Sequence, residues 1–520
     1  MTPDLLRPRM TRPTPLAALA RHLGMTPLTG VDPAGVDVVG ASVASDDVGP
    51  GEVFIALPGA RTHGATYVPQ ALDAGAVAVV TDTAGAELCA RVCLDRGVPL
   101  LVTEDPRALA GPLSALVYGL PAEHLRTAAV TGTNGKTTTT YFLDAIARRA
   151  TAATAVLGTV ELRVGETTVP SPRTTVEAPV LHRLLALGLE RGVGAASIEV
   201  SSHALALHRV DGLVVDVAGF TNLQRDHLDY HGTMERYLAD KAILFTPEHA
   251  RRAVVCVDDE WGRALAARTV LPVDRVRAYP GDAEAEWTVH DASIGLDGVA
   301  STFTLRGPGG FEVQASCPLP GRVNIQNAAL AIVMGLRWGV APADVVDAVA
   351  HAHGIPGRME RVSQRGDGLP LTVVDFAHTP DALELALEAV RPVTPGRLIA
   401  VFGSDGDRDQ GKRPLLGAVA ARLADVLVVT DENPRSEDPA TIRRAILDGV
   451  RSVRPDLTDV DEASTRVEAI ARAVEIAGPE DTIIITGKGH EPHQEIAGVF
   501  HPYNDVPVLR EAIERRWGTR

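Results

Sequence analysis

The chain has 520 residues, 45% hydrophobic and 22% charged. That balance excludes disorder as its general state and, at ~100–200 residues per domain, predicts about three domains. With 50 Lys and Arg against 66 Asp and Glu, the formal charge of −16 excludes an extended basic footprint for nucleic acid. Anionic small molecules remain open to it, held by a few local cations and helix N-termini. No apolar run approaches the ~18 residues of a membrane span, so no membrane insertion is expected. Cys89, Cys93, Cys256 and Cys317 fit no zinc spacing. They read as small buried hydrophobes of a reducing cytosol, and a cytoplasmic location follows as an expectation. The N-terminus is cut by prolines and lacks a signal-like apolar core, so the first ~12 residues read as a loose tail.

Along the chain, an apolar β-branched run is repeatedly followed by a polar Gly-rich loop and then a helical pattern. This predicts an α/β fold with mainly parallel sheets, whose ligands bind outside the carboxyl ends of the strands. GEVFIALPG (51–59) and AVAVVTD (76–82) flank a helical YVPQALDAG and form a small first unit, residues 1–105. A helical stretch from Pro106 to Tyr118 opens a central unit, 106–355. In it AAVTG (128–132), AASIEV (195–200) and VVDVAGF (214–220) are strands, and 319–339 is a turn feeding a long apolar helix. The third unit, 356–520, carries strands LTVVDF (371–376), LIAVFG (398–403), VLVVT (426–430) and TIIIT (482–486). Each of these four ends in a polar loop, and on a parallel sheet the four loops share one edge.

Gly132, Thr133, Asn134, Gly135, Lys136 and Thr137 follow a strand and open the helix TTTTYFLDAIARRA (137–150), whose second residue is Thr138. Glycines turn backbone N–H groups toward phosphate oxygens, a lysine reaches terminal phosphates and a threonine hydroxyl sits on Mg²⁺. The alternative is a Gly-rich turn with a solvated lysine; strand, loop and helix all in place favour the phosphate site. Glu199 ends a strand beside Ser201 and Ser202. It reads equally as an oxygen ligand for Mg²⁺ and as part of a helix-capping cluster. Spacing alone leaves His227 a structural histidine and Lys241 a solvated lysine. Arg408, Asn433, Arg435 and Glu491 sit on the third unit's loops. Together they could read a zwitterion, cations for carboxylates and the glutamate for an ammonium; surface salt bridging is the competing account.

The motifs GTNGKTTT (132–139), EVSSHALALHRV (199–210), FTNLQRDHLDYHGTMERYLADKAILF (220–245), LPGRVNIQNA (319–328), PGRMERV (356–362), DFAHTPDALE (375–384), GDRDQGKRP (406–414), ENPR (432–435) and GKGHE (487–491) resemble the Mur ligases of peptidoglycan synthesis, of the MurE type. The likeness runs from about residue 35 to the end. It implies a UDP-substrate domain, a central ATPase and a Rossmann-like third domain. It also implies ATP-dependent joining of diaminopimelate to UDP-MurNAc-L-Ala-D-Glu through an acyl phosphate; the oligomeric state is left open, with a monomer favoured. By that resemblance Gly132 to Thr138 and Asn324 bind ATP, with Arg358, Asp375 and His378 reaching it from the third domain. Thr137 and Glu199 would hold one Mg²⁺, and His227 and Lys241 a second, Lys241 carbamylated by CO₂. Ser45, Thr174, Thr175, Ser201 and Arg209 would meet the UDP-MurNAc-dipeptide. Arg408, Glu432, Asn433, Pro434, Arg435, Gly487 and Glu491 would meet diaminopimelate.

Four places depart from the family pattern. Glu432 stands where Asp is usual, and Ser45-Asp46 where Ser-Arg is usual. Leu207 replaces a polar residue, and Ser404-Asp405 replaces small residues before the GDRD run. Other readings stay open: a lysine-adding Mur ligase, a folylpolyglutamate synthetase, a P-loop kinase or ATPase, and a non-catalytic nucleotide-binding paralogue.

Overall fold

Each β-branched run that ends in a Gly-rich loop forms a strand, because its side chains pack well on a pleated, doubly covered surface. The computed structural model describes residues 3–28, 30–295 and 300–518. Its first sheet has five strands, ordered Thr26–Pro27, Leu100–Val102, Ala78–Thr81, Glu52–Ile55 and Gly40–Ser42. All neighbours there are parallel except the short Thr26–Pro27 strand.

The central sheet has eleven strands. Arg126–Thr131 lies between Ala195–Glu199 and Val217–Phe220, parallel to both. The loops after these three strands therefore meet at one edge. Antiparallel ribbons extend both ends, Glu161–Val164 with Thr167–Pro170 on one side and Trp287–Ser293, Ser301–Gly307 and Phe311–Cys317 on the other. The sequence blocks did not include these ribbons, whose alternating polar and apolar residues lack the continuous apolar signal of buried parallel strands. The helix Arg322–Arg337 is apolar nearly all round and correspondingly buried nearly all round. It packs on the helix Lys136–Ala150 that follows the Gly-rich loop.

The third sheet has six strands, ordered Glu360–Ser363, Leu371–Asp375, Thr482–Thr486, Leu398–Phe402, Val426–Val429 and Val460–Glu462. All are parallel but the first. Among the described residues no helix is long and apolar enough to cross a membrane. All four cysteines are buried and free.

Two expectations are corrected. The N-terminal segment is not a loose tail over its described part. Leu6 is fully buried in the core under the central sheet, and Arg7 pairs with Glu52 and bonds the Asp47 carbonyl. Arg7 and the buried Glu52 carboxylate it meets lie far apart in sequence, so the local pattern hides the contact. The helix Pro106–Val117, read as the start of the central unit, places Ala110, Leu113 and Val117 in the core of the first sheet with Val38, Val53 and Ile55. The first packing unit thus runs past residue 105.

Under the loops of the third sheet, Arg466 and Asp505 form a fully buried pair with bonds of 2.7 and 2.8 Å. Arg466 also donates to the Thr486 carbonyl at 2.6 Å. The pair ties the first turns of two helices to the end of the strand that carries the 487–491 loop. Arg466→Ala would strand a buried carboxylate, at a cost of roughly 3–5 kcal/mol. The expected result is a clearly lower urea midpoint for the third domain's unfolding; a change within about 0.5 kcal/mol, the range of an inconsequential surface substitution, would contradict it.

Candidate active site

The Gly-rich loop is shaped by its neighbours on the same sheet edge. Gly132 has φ +149, and a Cβ there would lie 1.9 Å from the Thr221 hydroxyl, so only glycine lets the two loops touch. Thr133 N–H donates to the Asn222 carbonyl at 2.9 Å, and Asn134 N–H to Asn222 Oδ1 at 3.0 Å. Gly135, at φ +89, starts the helix. Lys136 Nζ folds back over the loop and donates to the carbonyls of Gly132 and Thr133, both at 2.9 Å. Burial lowers its pKa, while the Glu199 and Asp226 carboxylates oppose the shift.

Glu199 is fully buried and does not cap a helix; Ser201 does that, accepting from Ala204 N–H. Glu199 instead accepts from the Thr137 hydroxyl at 3.0 Å and from the Thr159 N–H and hydroxyl, both at 2.9 Å. Thr174 joins through Thr159 at 3.1 Å. Thr175 donates to the Glu199 carbonyl at 2.9 Å and accepts from Ser201 N–H at 3.0 Å.

Lys241 is not the solvated lysine its helix pattern suggests. It is 1% exposed, donates to the Gly132 carbonyl at 2.8 Å and lies 4.6 Å above the Tyr237 ring. Lys136 and Lys241 thus converge on one carbonyl. Burial first, and then the Lys136 charge, push the Lys241 amine well below its ordinary pKa. His227, at φ +54, is nearly half exposed and stands edge-on to His203.

These groups open into a cleft of about 320 Å³ between the central and third domains. The central domain lines it with Thr133 to Thr138, Asp226, His227, Asn324 and Asn327, and the third with Arg358, Asp375 and His378. Arg358 donates to the Thr137 hydroxyl at 3.3 Å and stacks 4.5 Å over Phe376. Asp375 accepts from Met359 N–H at 2.7 Å and Ala377 N–H at 2.8 Å, and burial raises its pKa against the pull of Arg358. His378 Nδ1–H donates to the Phe376 carbonyl at 3.0 Å, and Asn324 donates to the Pro320 carbonyl at 2.7 Å.

On the third sheet's edge, Lys488 donates to Asn433 Oδ1 at 2.8 Å and to Glu491 Oε2 at 2.7 Å, and Asn433 Nδ2 donates to Glu491 at 3.1 Å. Arg435, at φ +54, lies between Asp405 at 3.4 Å and Glu495 at 3.7 Å. Gly487 backs onto Glu432: a Cβ there would come 2.9 Å from Glu432 Oε2. Pro434 is buried against Gly406. Arg408 is exposed on the neighbouring loop beside Asp407.

The groups expected to meet the UDP substrate are spread more widely. Ser45 is bonded to Gln70 at 3.1 Å and does not line the cleft. Arg209 pairs with Glu177 at 3.0 Å, a carboxylate shared with Arg107 and Arg173.

Sequence reasoning passed over Thr159, Asn222, Tyr237 and Lys488. Thr159 follows an apolar run in the same way as the loops that were read, and Lys488 lies inside a quoted motif. Tyr237 carries no signal short of the tertiary structure.

Three parallel-sheet domains with a phosphate-type loop facing the third domain's cations define a nucleotide-using ligase architecture. The chain belongs to the Mur ligase family. Residues 37–118 match the family's catalytic-domain model, 130–335 its middle domain and 357–489 its glutamate ligase domain. It is 46% identical over 515 residues to the UDP-N-acetylmuramoyl-L-alanyl-D-glutamate–2,6-diaminopimelate ligase of Streptomyces coelicolor, covering 98% of this chain and 99% of the relative. It is 45% identical over 523 residues to the UDP-N-acetylmuramyl-tripeptide synthetase of Leifsonia xyli, covering 99% of both. A solved UDP-N-acetylmuramoyl-L-alanyl-D-glutamate–2,6-diaminopimelate ligase superposes with a TM-score of 0.67 at 32% identity, over 98% of this chain and 99% of that one.

Proposed function

We propose that this chain is an ATP-dependent, ADP-forming amide ligase of the cytoplasm that joins diaminopimelate to the D-Glu γ-carboxyl of UDP-MurNAc-L-Ala-D-Glu in peptidoglycan synthesis. The observation that carries the reading is the pairing of a phosphate loop with Arg435. The loop can activate a carboxylate, and Arg435 can grip the far carboxylate of the incoming amino acid. A carboxylate is a poor electrophile, and transfer of the ATP γ-phosphoryl to it creates an acyl phosphate with a good leaving group. The amine then attacks the acyl carbon, and phosphate departs.

In this reading Lys136 and the loop N–H groups of residues 132–138 hold the phosphates and balance the charge that grows on the transferring phosphoryl. Asn324 lies toward the adenine. Arg358, Asp375 and His378 close on the nucleotide from the third domain, as a lid would. Thr137 and Glu199 offer hard oxygen donors side by side, a set that suits Mg²⁺. Bound Mg²⁺ supplies charge neutralisation at the phosphates. Lys241 and His227 fit a second Mg²⁺ if the lysine is carbamylated. Its buried amine has no carboxylate within ion-pair distance among the described residues. Held neutral, it can attack CO₂ and lose a proton to become an anionic oxygen donor. Thr174, Thr175, Ser201, Arg209 and, more remotely, Ser45 are assigned to the UDP-MurNAc-dipeptide. Arg408, Glu432, Asn433, Pro434, Arg435, Gly487 and Glu491 are assigned to diaminopimelate.

The test is phosphate release from Mg-ATP and UDP-MurNAc-L-Ala-D-Glu with meso-diaminopimelate, LL-diaminopimelate or L-lysine. Release that requires a diaminopimelate isomer is expected. Arg435→Ala should raise the KM for it by ~100-fold, the scale of losing a bidentate charged contact, and leave the KM for ATP unchanged. Release with lysine alone would overturn the choice of amine, and a raised KM for ATP would move Arg435 out of the amino-acid site.

A further inference from the structure

Beside Arg435, two carboxylates that depart from the family pattern each leave one oxygen without a hydrogen bond. Asp405 Oδ1 and Glu432 Oε2 are both buried with no hydrogen bond. Glu432 is 3% exposed as a residue. Their loops are clamped together: Gly406 N–H donates to the Asn433 carbonyl at 2.8 Å, and a Cβ on Gly406 would fall 1.9 Å from the Pro434 carbonyl. Glu491, by contrast, already has Oε2 committed to Lys488 and Asn433. Arg435 is only loosely held. Its contact with Asp405 is 3.4 Å long, and its buried Nε has no hydrogen-bond partner. Unsatisfied buried polar atoms are uncommon in native proteins and mark a missing partner.

Two orphan carboxylate oxygens next to an under-used guanidinium form the mould of an α-amino-acid end: an ammonium against the carboxylates and a carboxylate against the arginine. The geometry points to Asp405, acting with Glu432, as the acceptor of the incoming amino acid's distal ammonium, and so as the residue that reads the handedness of its distal carbon. This rests on the proposed function above and goes beyond it, since none of the residues assigned there includes Asp405. The argument from chirality is simple. Arg435 fixes the carboxylate, the Asp405–Glu432 pair fixes the ammonium and the chain direction fixes the third substituent. Three points distinguish the two configurations, and two do not. The charge state agrees. Burial, and next the Asp405 charge, raise the Glu432 pKa to about 8. An arriving ammonium would offset the Asp405 repulsion, the second of those causes, and favour the ionised carboxylate.

The test compares wild type with Asp405→Asn, using phosphate release with meso- and LL-diaminopimelate and with 2-aminopimelate, which keeps the distal carboxylate and lacks the distal ammonium. Wild type should prefer one diaminopimelate isomer over the other, and over 2-aminopimelate, by ~100-fold in kcat/KM, as for a site left with unpaired buried polar groups. In Asp405→Asn both ratios should fall toward one while the KM for ATP holds. Glu432→Gln should shrink the same ratios and guards against a folding failure of the first variant. If Asp405 merely steadies Arg435, its loss weakens all three amines alike and the ratios stand, which overturns the inference and leaves the ligase reading intact. Wild-type release with none of these amines overturns the ligase reading and the inference with it. Release with L-lysine alone overturns the choice of amine and leaves the ligase reading standing, and the Asp405 role then survives only if Asp405→Asn raises the KM for lysine at least tenfold.

Discussion

Lys241→Ala should lower turnover by ~1,000-fold or more, and added acetate or formate should restore a measurable fraction of it. The expectation follows from what surrounds the amine. Lys241 is buried beside the Lys136 ammonium, shares the Gly132 carbonyl with it and faces a tyrosine ring. Burial first, and then the Lys136 charge, push the Lys241 amine well below its ordinary pKa, so it gives up its proton far more readily than a free lysine. A neutral buried amine is nucleophilic, and its carbamate would turn a repulsive pair into an attractive one beside the phosphate site. Removing the side chain would delete the oxygen donor that the proposed carbamate supplies and open space beside Gly132 and Tyr237 for a small carboxylate. Carbon-13 NMR of the wild type under labelled CO₂ is an independent check. A variant as active as wild type, or a wild type with no carbamate signal, would defeat the idea.

Lys136→Ala should bring phosphate release down by ~10³- to 10⁵-fold, the range found where a cation that stabilises a transferring phosphoryl is removed. Its ammonium already bridges the Gly132 and Thr133 carbonyls, so it is positioned before any nucleotide arrives. Lys136→Arg should be nearly as inactive. A planar guanidinium cannot occupy the pocket between those carbonyls and Lys241 without displacing one of them. Binding of a fluorescent ATP analogue, followed alongside turnover, separates loss of chemistry from loss of affinity. Retained turnover in Lys136→Ala would remove this lysine from the phosphate site.

The α/β class and the strands that carry the site were legible because each is a short apolar run that ends in a polar loop. The phosphate loop was legible because strand, glycines, lysine and helix are contiguous. Glu199 was only half legible. Its place at a strand end was clear, but the bonds from Thr137 and Thr159 that aim it at the loop come from elsewhere in the chain. Lys241 was illegible from spacing. Its helix carries charged and apolar residues in an ordinary amphipathic pattern, and only packing against Gly132 and Tyr237 puts the lysine on the buried side. The resemblance to a family named it; local pattern did not.

The same division runs through the whole molecule. The sequence by itself determined the parallel-sheet architecture, the approximate order of three units, the phosphate loop and the set of four polar loops on the third sheet. These properties are written in local periodicity and contiguous motifs, and the backbone can follow them only one way. Only packing places Leu6 and Arg7 as anchors of the N-terminus, gives the helix from Pro106 to the first core, brings Arg358 to Thr137 across the cleft and leaves one oxygen each of Asp405 and Glu432 without a hydrogen bond near Arg435. Each of these depends on which distant group a side chain meets. Burial then sets whether that group is charged, and no local pattern encodes either one.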